Sequence, residues 1–158
     1  MKKLNKYMEI AINEARLGMI KGDGGPFGAV IVKDGEIVAR SHNQVLLTHD
    51  PTMHAEIAAI REACAKFGRF DLSDCEIYST CLPCPMCLGA IMWAKMPKLY
   101  YGAVDSDAAA AGFDDEYIYD VIKNGLHDKC SLSAEETDAD ECRKLFAEWM
   151  AKDNREMY

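Results

Sequence analysis

Residues 75 to 104 read CEIYSTCLPCPMCLGAIMWAKMPKLYYGAV, and the apolar pattern changes twice along them. Residues 74 to 80 have the alternation and the aromatic and β-branched content of a strand. Pro85 suits the first position of a helix, where a missing N–H costs nothing, and it opens a helix of about 85 to 95. Met96 and Pro97 end it, and LYYGAV from 99 to 104 reads as a second strand. A strand, a helix and a strand in succession form a parallel crossover.

The same alternation extends toward the N-terminus. HAEIAAIREACAKFG predicts a helix from about 54 to 67, stopped by Gly68. Before it, PFGAVIVKDGEIVARSHN carries two β-branched runs around Asp34 and Gly35, a tight hairpin with strands at about 27 to 33 and 36 to 42. The first 20 residues place Leu4, Tyr7, Met8, Ile12, Ala15 and Met19 near one helical face, and KGDGG at 21 to 25 breaks that helix. Past Gly102 only short helical pieces and a loop are legible until a last helix at about 138 to 151. With no repeat and no linker, the expectation is one domain over residues 1 to 158, an α/β layered sheet whose opening hairpin is antiparallel.

Composition limits the function classes. The 158 residues are 49% apolar and 28% charged, as in an ordinary globular protein. MKKLNKYMEI lacks the apolar run of a secretory signal, and charges interrupt each later apolar stretch, so no membrane partner and a cytoplasmic location are expected. A net charge of −8 argues against nucleic acid as a partner, because phosphate binders carry a basic face. Seven cysteines are an odd count, and Cys81, Cys84 and Cys87 crowd into seven residues; without an export signal this points to metal or redox chemistry.

The prolines separate the three sulfurs. Pro83 biases Leu82 toward extended backbone, while Pro85 puts Cys84 at the helix cap and Cys87 in the first turn. There the positive end of the helix dipole favours thiolates, the form that binds zinc. Cys81, on the strand side of the turn, reads as a buried packing residue. A further ligand must come from elsewhere, and of His42, His49, His54 and His127 only His54 starts a helix in a similar strand-loop-helix unit. Strand ends and helix starts gather on one sheet edge, so His54, Cys84 and Cys87 can meet. Three protein ligands leave the fourth zinc position to a water or hydroxide, the open arrangement of a catalytic site. Glu56 can then reach that water as general acid and base, provided His54 occupies the irregular helix edge. His42, His49 and His127 read as surface or packing histidines, and Gly24, Gly25 and Gly28 as turn residues rather than a phosphate cradle.

HAE at 54 to 56 with PCPMC at 83 to 87 resembles the HxE and PCxxC signature of the zinc-dependent nucleobase deaminases. GGPFGAVIVKDG (24 to 35), DPTMHAEIAAIR (50 to 61), CPMCLGAIMWA (84 to 94) and AGFDDEYIY (111 to 119) are similar to the bacterial guanine deaminase branch of the cytidine deaminase-like superfamily. Leu82 stands where that family often has Glu, and residues 123 to 140 match it poorly.

The resemblance implies a three-layer αβα sandwich with a five-stranded mixed sheet, one zinc per chain, and hydrolysis of guanine to xanthine and ammonia in purine catabolism. By position it implies His54, Cys84 and Cys87 as zinc ligands and Glu56 as proton shuttle. Asn43 would bond the purine base, Phe27 and Trp93 would line its pocket, and Asp115 would hold its amino side. It also implies a homodimer in which an arm of about 138 to 158 is swapped and Tyr158 closes the partner's site. Cytosine, guanosine or another nucleoside, and adenosine in transfer RNA are the alternative substrates. A zinc-stabilised binding module without turnover is the alternative of a different class.

Overall fold

The computed structural model describes residues 4–125 and 132–157. Asp34 and Gly35 have φ of +50° and +82°, the two positive values of a type I′ turn, and they join β1 (Gly28–Lys33) to β2 (Glu36–His42). Ile31 pairs with Ala39 and Val32 with Ile37, so Val38 is an extra residue on β2. This bulge puts both Val38 and Ala39 into one core.

Helix α1 (Lys6–Lys21) precedes the hairpin; the Asn5 side chain accepts from the Tyr7 and Met8 amides at its start, and Gly22 ends it at φ +74°. After β2 come a single turn α2 (Val45–Thr48), α3 (Ala55–Phe67), β3 (Glu76–Cys81), α4 (Pro85–Trp93), β4 (Lys98–Ala103) and α5 (Asp105–Ala110). The sheet order is β2-β1-β3-β4, with β1 antiparallel to both neighbours and β3 parallel to β4. Strands β2, β3 and β4 therefore run the same way, joined by crossovers through α3 and α4.

Side chains alternate across β1 and fill two cores. Val30 and Val32 pack with Ala11 and Tyr78 under α1; Ala29 and Ile31 pack with Ala55, Ala59, Ile77 and Ile91 on the side of α3 and α4. The alanines let α3 lie close to the sheet. Gly28 is required where α1 crosses β1, since a Cβ there would collide with the Ala11 carbonyl oxygen. These two helical layers around a mixed sheet are the expected αβα sandwich.

The sheet has four strands among the described residues instead of the expected five. Past β4 the Ala-rich segment forms α5, and EYIYDVIKN, whose apolar residues recur at helical spacing, forms α6 (Glu116–Asn124). Neither has the alternation of a strand. Contacts divide the chain after Asp115: the first unit holds the sheet and α1 to α5, and the second holds α6 and α7 (Ala139–Met150). No described helix is long and apolar enough to cross a membrane.

Candidate active site

Because β2, β3 and β4 run the same way, the starts of α3 and α4 lie on one edge of the sheet. His54 caps α3 with φ −69° and ψ 160°, and Cys84 caps α4 with φ −61° and ψ 167°. Neither side chain caps its own helix, which leaves the imidazole and the thiol available to each other. His54 Nδ1 stands 3.5 Å from the sulfurs of both Cys84 and Cys87. The three atoms all lie within 4.8 Å of one another.

That spacing fits zinc. Tetrahedral bonds of about 2.0–2.3 Å to nitrogen and sulfur separate the two ligand atoms by about 3.5 Å. The donor set, one imidazole and two thiols, is also the chemistry zinc selects. No other His, Cys or carboxylate joins the group among the described residues, which thus offer three ligands. Cys81, the last residue of β3, stays out of the group; it is buried and its thiol points to the Val104 carbonyl at 3.7 Å.

The electrostatics favour a thiolate at the cap. A hydrogen bond from the Cys87 thiol, assisted by His54, holds Cys84 down to about 4. The same bond and burial push Cys87 up, and the bond with Cys84 raises His54. Glu56, the second residue of α3, is only 5% exposed, and burial raises its carboxyl above the usual range despite bonds from Ser79 and Cys87. Ser79 Oγ donates to Glu56 Oε1 at 2.8 Å. His54 sits at the extended cap while Glu56 is inside the helix, and this change of backbone lets residues two apart serve one site.

Asn43 follows the last residue of β2 at the same edge. Its Oδ1 accepts from the Gly25 amide at 3.3 Å and the Val45 amide at 3.2 Å, and its own amide donates to the Phe27 carbonyl at 3.0 Å. A Cβ at Gly24 would strike Asn43, so the glycine loop is folded directly on this side chain. With Oδ1 engaged, the side-chain NH2 is the group left to present to a ligand. Phe27 is half-buried and meets Phe113 edge-on at 5.0 Å. Asp115 is half-buried, raised first by desolvation and then by the nearby Cys84. Trp93, the last residue of α4, is 69% exposed in the single chain. Tyr158 and His127 lie outside the described residues.

Three features were missed by sequence reasoning. Ser79 is buried, and the signal for it was present: it lies two positions from Ile77, on an inward face where a polar residue needs a partner. Phe113 had only its place within AGFDDEYIY. His42, expected at the surface or in packing, is buried between two carboxylates, with Nε2 2.8 Å from Asp23 and Nδ1 3.4 Å from Glu14. It ties α1, the glycine loop and the end of β2 together just before Asn43; Gly18 gives the ring its space. His49 occupies a left-handed position at φ +54° on the surface.

Comparison with known proteins agrees with this geometry. Residues 1–103 match the family described as the cytidine and deoxycytidylate deaminase zinc-binding region. The chain is 53% identical over 116 residues to a guanine deaminase of Bacillus subtilis, covering 73% of this chain and 74% of that protein. A crystal structure of guanine deaminase from Bacillus subtilis superposes with a TM-score of 0.92 at 43% identity, covering 98% of this chain and 99% of that one. A tRNA-specific adenosine deaminase of Agrobacterium fabrum is 39% identical over 142 residues, 90% of this chain and 93% of the relative. Another structure, solved in complex with 2,6-diaminopurine, aligns at 34% identity and a TM-score of 0.65, over 69% of this chain and 61% of the other. The HAE and PCPMC segments, the cluster they build and these likenesses lead to one conclusion: the chain belongs to the cytidine and deoxycytidylate deaminase zinc-binding family, and it is a hydrolytic deaminase.

Proposed function

We propose that this enzyme hydrolyses guanine to xanthine and ammonia, a step of purine catabolism or salvage. One observation carries the choice of substrate: the likeness to guanine deaminase holds over 98% of the chain at a TM-score of 0.92, well beyond the segment that houses the zinc cluster. The tRNA-specific adenosine deaminase of Agrobacterium fabrum has 39% identity against 53% for the guanine deaminase, and the transfer RNA reading must contend with a net charge of −8.

His54, Cys84 and Cys87 hold the zinc, one per chain. Bound there, zinc would lower the pKa of a water and thus supply the nucleophile at neutral pH. Glu56 takes a proton from the attacking water and returns one to the exocyclic nitrogen, which leaves as ammonia. Its burial suits this duty, because a carboxyl raised above its usual range is a better proton donor near neutral pH. Asn43 orients the base with its free NH2 group, Phe27 provides an aromatic wall, and Asp115 accepts from the amino side of the base.

The working form is a cytoplasmic homodimer. On α7 the large apolar residues Leu145, Phe146, Trp149 and Met150 are spaced one helical turn apart and exposed in the single chain, a face suited to a second copy. The arm of about 138–158 crosses to that copy, where Tyr158 closes the partner's site; Trp93 lines the pocket. The direct test is ammonia release by the purified zinc enzyme from guanine, guanosine, cytosine and adenosine, with transfer RNA as a further substrate. Xanthine is the expected product; turnover of cytosine or of transfer RNA with guanine untouched would overturn the reading.

A further inference from the structure

We propose that Ser79 is a positioning residue for the reaction: its hydroxyl anchors one oxygen of Glu56 so that the other is held for proton transfer. The proposal rests on the reading of Glu56 as the proton shuttle and assigns a role to a residue outside both signature segments.

The strand register puts Ser79 under α3. On β3 it pairs with Ala29 of β1, which belongs to the same core as Ala55 and Ala59, and it alternates with Tyr78, which belongs to the opposite core. Its hydroxyl thus rises from the floor of the α3 side, beside the apolar Ala29 and Ile77. It is 2% exposed and donates to Glu56 Oε1 at 2.8 Å. The strand itself is held by its backbone pairing on both sides, with Ala29 of β1 and Tyr101 of β4 opposite Ser79, and the hydroxyl bond to Glu56 is additional to that pairing.

A buried carboxylate with one fixed oxygen has few ways to turn. Glu56 has no cationic partner among the described residues, and its raised carboxyl reflects desolvation that hydrogen bonds only partly offset. A donor from the floor of the site removes rotation about the last side-chain bond. It also leaves Oε2 as the oxygen that must reach the reacting atoms. Such a bond orients a proton-transfer group without touching substrate, so it acts on turnover and leaves substrate binding alone.

Ser79→Ala deletes one oxygen atom and adds no bulk. In the zinc-loaded enzyme, kcat on whichever base the wild type deaminates is expected to fall roughly ten- to a hundredfold, the range of one hydrogen bond to a charged group. KM should stay within about twofold. Zinc content should stay at one per chain. Ser79→Thr, which keeps the hydroxyl, should recover most of the rate. The crystal structure of Ser79→Ala should show the Glu56 carboxylate in more than one orientation. A single, unmoved Glu56 in that structure, or wild-type kcat in Ser79→Ala, overturns the proposal. Equal losses in the Ala and Thr variants together with a lower melting temperature assign Ser79 to packing and overturn it too. Absence of guanine turnover in the wild type would instead overturn the substrate assignment, and the orientation of Glu56 would still decide the role of Ser79.

Discussion

The two edges of the sheet treat their carboxylates in opposite ways. At the hairpin edge, Asp74 lies exposed between Arg69 at 2.6 Å and Lys33 at 2.7 Å, and these cations hold its carboxyl well below the usual range. At the other edge, Glu56 is buried and faces neutral or sulfur groups, and its carboxyl is raised. Pairing stabilises the charged form and burial penalises it, so the first edge holds its carboxyl as an anion while the second makes the charged form costly. One edge contributes to holding the fold, and the other is free to do chemistry.

Mutations on the two edges should separate these roles. The largest effect is expected from Glu56→Gln, which keeps the shape but cannot accept a proton: turnover should drop by about 10³-fold or more with zinc retained. Ammonia release and metal analysis of the same sample check this, and a variant with normal turnover would remove Glu56 from its place in the reaction. Cys84→Ala should lose both zinc and activity, because a His and one Cys cannot complete a tight tetrahedral site. Metal content measured after dialysis decides it. Deleting residues 153–158 should lower turnover about tenfold while the metal stays bound, if Tyr158 closes the partner's site; an unchanged rate would end that role.

His42 lies on the reactive edge yet is built like the other one, a side chain set between two carboxylates. His42→Leu should cost about 2 kcal/mol of stability, because the buried Asp23 carboxyl would lose its partner at 2.8 Å, while Glu14 keeps Arg40. Urea unfolding at neutral pH measures it. The smallest effect belongs to Asp74→Asn. The folded Asp74 carboxyl is depressed, so its contribution is present above the unfolded value of about 3.9 and is lost as pH falls toward the folded value. The wild type should be more stable than the variant at pH 7, and the gap should close as the pH drops below about 4. Melting temperatures recorded over that range would show whether the exposed ion pairs matter at all.

Most of the elements were legible in the sequence because their signals are local. Asp34 and Gly35 demand positive φ, Gly22 and Gly68 end helices, and Pro85 starts one; each works through its own backbone. The His54, Cys84 and Cys87 cluster was also legible, since strand-helix alternation puts helix starts on one edge whatever fills the core. The fifth strand was inferred from family resemblance rather than from the residues, and the residues after β4 have helical spacing instead. Ser79, Phe113 and His42 escaped because each depends on a partner 23, 86 or 19 positions away along the chain, a pairing that periodicity does not encode.

By itself, then, the sequence determined the layered α/β class, the helix that carries the sulfurs, and the residue types of a three-ligand zinc site with an adjacent carboxylate. Those follow from backbone preference and ligand chemistry, which act over a few residues. The tertiary structure decided how deeply Glu56 is buried, and that a hydroxyl from β3 reaches it. These are consequences of register and packing: only when α3 closes over the sheet is the Glu56 carboxyl shut away from water, and that burial is what raises it.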